Sequence, residues 1–207
     1  NLINTVYLRS GTSYTPTLGT NRIRIELLGG GGGGGGTPAN TARCASGGGA
    51  GAYGIVTLSN ISNISYTYSI GAGGTGTANT IGGTGSTTSI IVNSQTYSAS
   101  GGLGGNIGVN SPVILLGGFG GSTYVGTLDF QRNGNNGDFG CSTSGAQGSG
   151  SGGNSQYGTG GQSRNVNNIG NNATGFGAGG GGATNTNIAA ARAGGTGSPG
   201  IIIIQEF

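Results

Sequence analysis

A chain of 207 residues has room for one domain, and glycine fills 54 of its positions, about a quarter of the chain, against a usual share of about 7%. Four prolines and a wandering glycine spacing exclude collagen, and several β-branched and aromatic runs argue against wholesale disorder. Seven scattered arginines, four acids, no lysine and no histidine leave a net charge of +3 without a basic tract, which argues against a nucleic-acid interface and removes the commonest general base, the Schiff-base lysine and the Walker lysine.

No apolar run approaches the roughly 18 residues that a membrane-spanning helix needs, and no signal-peptide pattern opens the chain, so a soluble chain without membrane insertion is expected. The sequence holds no methionine, which suggests a processed product or a segment of a longer polypeptide.

In chain order, the first strong pattern is RIRIELL at 22–28. Arg22, Arg24 and Glu26 share one face and Ile23, Ile25 and Leu27 the other, which predicts a half-buried strand. Eight glycines follow at 29–36 and read as the exit from a β core into an extended tract. Residues 53–58 (YGIVTL) and 64–70 (ISYTYSI) predict two further strands, with Ile64, Tyr66, Tyr68 and Ile70 on one face of the second. Residues 87–92 and 95–99 flank Asn93 and Ser94, a two-residue hairpin signal. The closing IIIIQEF at 201–207 is apolar on both faces until Gln205, as in a central strand covered on both sides. Helical periodicity is weak throughout, its best stretch being 187–194.

The glycine tracts carry their own register. Glycines fall at 73, 76, 82 and 85, at 71, 74 and 83, and at 102, 105 and 108, each set separated by multiples of three. A polyproline-II-like helix has about three residues per turn, so such spacing leaves one edge free of side chains. It makes no internal hydrogen bonds, so each buried N–H and C=O must pair with a neighbouring tract. The expected fold is therefore all-β with an irregular glycine-rich part: a small antiparallel core plus a bundle of polyglycine-II-type helices, little or no α-helix, and one domain over 1–207.

Glu26 and Glu206, at strand ends, suit structural ion pairs with Arg22 or Arg24, while Asp129 and Asp138 share one insert and suit solvated or turn roles, with a carboxylate pair as the alternative. Neither pattern carries a metal or cofactor site, and no catalytic residue is assigned. Cys44 and Cys141 are too few for a disulfide framework, yet a bridge between them is conceivable. The sequons at Asn60, Asn63 and Asn172 are expected by chance in so Asn- and Ser-rich a chain.

Polar inserts at 37–46, 122–147, 154–176 and 183–193 interrupt the glycine tracts with aromatics, arginine and amides. Aromatics and arginine on loops carried by a rigid scaffold are the composition of recognition surfaces. The candidate contact residues are Tyr124, Phe130, Arg132 and Phe139 in the first-ranked insert (122–147), and Tyr157 and Arg164 in the second (154–176).

The block SGTSYTPTLGTNRIRIELLGGGGGGG (10–35) resembles the start of the glycine-rich domain of bacteriophage tail-fibre and tail-tip proteins. Residues 47–76, the hairpin preceding SASGGLGG, and GTGSPGIIIIQEF (195–207) continue the likeness in order. The resemblance implies a non-catalytic, host-recognising adhesin at the distal tip of a tail fibre on the virion. It would bind a bacterial outer-membrane protein or surface glycan through variable loops. Its partners would be that receptor and the rest of the fibre, with a trimer as one arrangement. Two other readings stay open: an ice-binding polyglycine-II bundle and a structural glycine-rich coat protein.

Overall fold

A computed structural model describes residues 1–109, 113–142, 147–186 and 190–207, and among these every regular element is a strand. The first are β1 (Asn4–Leu8), β2 (Ser13–Tyr14), β3 (Arg22–Leu28), β4 (Ala42–Cys44), β5 (Tyr53–Ser59) and β6 (Tyr66–Ser69). Next come β7 (Thr88–Val92), β8 (Gln95–Ala99), β9 (Val113–Leu115), β10 (Tyr124–Val125), β11 (Phe130–Arg132) and β12 (Gly140–Ser142). The last are β13 (Gln147–Gly148), β14 (Tyr157–Thr159), β15 (Thr174–Phe176), β16 (Thr184–Thr186) and β17 (Ile201–Glu206).

Two antiparallel five-stranded sheets, ordered β1-β17-β3-β5-β11 and β10-β8-β7-β6-β2, face each other. The alternation in β3 aims Ile23, Ile25 and Leu27 inward, where they are fully buried with Val56, Ile202 and Ile204. Tyr14, Tyr66, Tyr68, Ile90 and Val92 close over them from the second sheet. Each such aliphatic side chain contributes about 1.5–3 kcal/mol on burial. Asn93 and Ser94 take φ of 49° and 64°, the doubly positive turn that lets β7 and β8 pair in a two-residue hairpin. β17 is indeed a central strand, between β1 and β3. Leu28, Tyr53 and Ile201 form a second, smaller core on the outer face of the first sheet, joined by Phe176 from β15.

β3, β6 and β8 lead into glycine tracts and β5 and β17 emerge from them, and the tract Gly29–Gly36 is bonded by six neighbouring segments. Its N–H groups donate in rotation to three antiparallel neighbours. Gly29, Gly32 and Gly35 bond Ala52, Gly49 and Ser46; Gly30, Gly33 and Gly36 bond Ser86, Gly83 and Thr80; Gly31 and Gly34 bond Ser198 and Gly195. Its carbonyls accept from three parallel neighbours: from Gly102, Gly105 and Gly108, from Gly74, and from Gly180 and Ala183. The partners recur at every third residue. A tract so surrounded leaves no room for side chains: a Cβ on Gly31 or Gly34 would lie 1.9 Å from the carbonyl oxygen of Ala178 or Gly181. The absence of side chains is what specifies this tract, because it alone permits backbone-to-backbone contact on all sides.

Several expectations change in the structure. β1 and β2 were not foreseen, since NTVYL and SY are short and their faces only partly buried. Ile64, grouped with Tyr66 and Tyr68, lies ahead of β6 and is exposed. No disulfide joins Cys44 and Cys141; Cys44 faces Thr184 across the β4–β16 pair, and Cys141 faces Ile114 and Gly148 from β12. Residues 187–189 of the weakly helical stretch lie outside the described residues, and 190–194 are not helical.

Candidate functional site

The hydrogen-bond ladder gives the glycine array two ends. Gly29, Ala52 and Ser100 lie at the sheets, whereas Gly36 is level with Thr80 and Gly108, and Thr37 pairs with Arg192. The six residues expected to make contacts divide between these ends.

Four sit at the sheet end. Tyr124 lies in β10 opposite Ala99, packed on the main core, with its hydroxyl donating to Asn133 Oδ1 at 3.2 Å. Phe130 and Arg132 lie in β11 opposite Ile55 and Tyr53. Tyr157 opens β14 and meets the Tyr53 ring edge-on, with centroids 6.0 Å apart, and Phe130 meets the same ring at 6.3 Å. Tyr53 thus gathers both rings onto the outer face of the first sheet.

Beneath them lies Glu26. Its carboxylate accepts hydrogen bonds from Tyr53 Oη at 2.5 Å, from Tyr157 Oη and from Arg24 Nη1. Arg24 and Glu26 are the ion pair among the described residues. Burial alone would raise the Glu26 pKa, but bonds from Tyr157, Tyr53 and Arg24 outweigh it and hold the carboxyl below its ordinary value. Burial, then the bond to Glu26, pushes the Tyr53 and Tyr157 phenols upward. The second acid, Glu206, finds a tyrosine rather than an arginine: Tyr14 Oη donates to its Oε1 at 2.6 Å, and Thr17 N–H donates to the same oxygen at 3.2 Å.

Phe139 and Arg164 lie in the far half. Phe139 is exposed immediately before β12, and Arg164 bonds Asn171 Oδ1 through Nη2 while its carbonyl accepts from Ser149 N–H. Asp129 and Asp138 do not meet. Asp129 accepts from Thr57 N–H at the sheet edge, and Asp138 accepts from Ser151 Oγ near Gly47. No group of three His, Cys, Asp or Glu comes together to hold a metal among the described residues.

Around Phe139 and Arg164 the far end exposes aliphatic side chains that sequence reasoning missed. Ile81 follows the turn after Thr77; Ile114 and Leu116 lie in and beside β9; Val166 and Ile169 flank the turn that returns the chain toward β15. All are 57–66% exposed. The signal available was a lone aliphatic residue inside an amide-rich turn, as in NVNNIGNN at 165–172, where no packing partner is nearby in sequence. Arg43, Arg164 and Arg192 belong to the same end, against one acid, Asp138.

The turn at Val166 is strained. Val166 and Asn167 take φ of 47° and 51°, a region that asparagine tolerates and a β-branched residue does not. Its neighbours impose it. Asn168 Nδ2 donates to the carbonyls of Val166 at 2.8 Å and Asn165 at 2.7 Å, and Thr186 N–H donates to Asn167 Oδ1 at 2.6 Å.

Strands that lead into side-chain-free tracts, closed by a C-terminal isoleucine strand in the first sheet, define a glycine-rich β protein. Residues 8–206 match the family model described as the glycine-rich domain, and the chain belongs to that family. Among curated proteins none matches the chain.

Proposed function

We propose that this protein is a non-catalytic adhesin, carried at the tip of a phage tail fibre, that attaches to a bacterial surface receptor through the far end of its glycine array. The observation that carries the reading is the exposure of Ile81, Ile114, Leu116, Phe139, Val166 and Ile169 in the far half of the array, which also holds Arg43, Arg164 and Arg192. Exposed apolar groups on loops carried by a hydrogen-bonded scaffold are the usual material of an interaction surface. The three-residue recurrence of the tract hydrogen bonds supports reading the tracts as polyglycine-II-type helices. Such helices would fix the turns relative to one another and lower the ordering cost of binding. Modest affinity per copy suffices where several copies act together.

The contact surface in this reading keeps Phe139 and Arg164 and moves away from Tyr124, Phe130, Arg132 and Tyr157, which the sheets engage. Retention of the fluorescently labelled chain on a panel of bacterial cells tests it. Saturable retention by at least one strain is expected, lost in a Val166→Asp/Ile169→Asp double variant and kept when residues 122–132 are exchanged. If no strain retains the chain, or only the 122–132 exchange matters, the reading fails.

A further inference from the structure

On the outer face of the first sheet, β1 and β17 form the floor of a half-open cleft of about 410 Å³, with Tyr157 and Phe176 from the β14–β15 hairpin along one side. Its volume lies within the range of about 300–1,000 Å³ typical of small-molecule sites. Half-buried Ile203 supplies the accessible apolar floor, with Ile201 almost fully buried beside it. Tyr7 and Phe176 add aromatic faces, and Thr5 and Gln205 place a hydroxyl and an amide on the rim.

The charge in this cleft is unbalanced. The Arg9 guanidinium stands 5.4 Å from the centre of the Phe176 ring and 6.0 Å from that of Tyr7. The acid that lines the cleft, Glu26, is already engaged by Arg24, Tyr53 and Tyr157. Rings hold Arg9 in place by cation–π attraction while its N–H fork stays available for an oxyanion, which arginine grips with two parallel bonds.

We infer that this cleft binds an acidic sugar residue, with the carboxylate on Arg9 and the ring's C–H face against Ile203 and Phe176. A sugar ring offers one apolar C–H face and a rim of hydroxyls, which matches an apolar and aromatic floor edged by Thr5 and Gln205. A neutral sugar offers the Arg9 fork no oxyanion to grip. An aliphatic carboxylate leaves the polar rim unpaired. The site is at the sheet end, opposite the exposed turns, and it stands whether or not those turns grip a receptor.

Ligand-detected NMR and calorimetry on the full chain test this, using the methyl glycosides of glucuronic and galacturonic acid, N-acetylneuraminic acid, methyl glucoside, and hexanoate as probes. At least one acidic sugar is expected to bind saturably and more tightly than methyl glucoside and hexanoate. Arg9→Ala should weaken it about ten- to a hundredfold, the loss of a charge-assisted hydrogen-bonded pair. Arg9→Lys, which keeps the charge and loses the fork, should give an intermediate loss. Circular dichroism of both variants should match the parent, because Arg9 is exposed. Binding of no acidic sugar, equal binding of methyl glucoside, tighter binding of hexanoate, or binding unchanged by Arg9→Ala in a folded variant would each overturn the assignment.

Discussion

Tyr14 and Glu206 tie the two sheets together: the phenol of β2 in the second sheet donates to Glu206 Oε1 of β17 in the first at 2.6 Å, in a buried setting. Burial, then this bond, drives the Tyr14 phenol far upward, so it stays a donor at any working pH. Glu206 Oε2 is buried without a hydrogen-bond partner, which makes the bonds at Oε1 the chief compensation for a desolvated charge. Tyr14→Phe keeps the ring and removes one of them. A loss of about 2–3 kcal/mol is expected in urea unfolding, at the upper end for a hydrogen bond to a charged group. A loss below about 0.5 kcal/mol would mean that Glu206 draws its stabilisation elsewhere.

The pH profile of stability should be a plateau with two shoulders. Glu26 and Glu206 both have pKa values below the ordinary one, because hydrogen bonds outweigh burial. Their contribution is complete above the unfolded value of about 4.3 and is lost as pH falls through the lower folded values. Tyr14, Tyr53 and Tyr157 are shifted upward, so their contribution is complete below about 10 and is lost as pH rises beyond it. With no histidine in the chain, thermal unfolding midpoints should vary little between about pH 5 and 9. A transition centred near pH 6–7 would contradict this assignment.

Much of the core was legible because strands with one buried face print a period of two, and 22–28 and 95–99 coincide with β3 and β8. β1 was not, because NTVYL stays exposed or half-buried on both faces until Leu8 and so prints no apolar–polar contrast. Glu26 illustrates the harder limit. Its partner Arg24, two residues away on the same face, was readable, but Tyr157 reaches it across 131 residues of chain. The same distance problem hides where the inserts go. Tyr124, Phe130 and Tyr157 look like loop aromatics in sequence, yet short strands fold them back onto Ala99, Ile55 and Tyr53.

Two glycine substitutions should act with opposite signs. Gly34 sits in the central tract, and a Cβ there would lie 1.9 Å from the Gly181 oxygen, with backbone rather than a flexible side chain in the way. Gly34→Ala must push two hydrogen-bonded tracts apart and should cost at least about 3 kcal/mol, at or beyond the usual range for overpacking. Gly148 lies in β13, and a Cβ there meets nothing within 4 Å. Gly148→Ala should be neutral or stabilise by up to about 1 kcal/mol through a less flexible unfolded chain. Chemical denaturation of the pair reads both. Equal tolerance at the two positions would show that the central tract is not closely packed in solution.

Val166 separates stability from attachment. At φ of 47° a β-branched side chain costs on the order of 1–3 kcal/mol, which the bonds from Asn168 and Thr186 offset. Asparagine accepts this backbone readily, so Val166→Asn should raise stability by about 0.5–1 kcal/mol. The same change replaces a 59% exposed aliphatic group with a polar one, and on the adhesin reading it should weaken cell retention. A stabilised variant that is retained less well would mark Val166 as a residue held in strain for contact. A stabilised variant retained as well as the parent would remove this turn from the proposed surface, and a destabilised one would show that the turn needs the valine for packing.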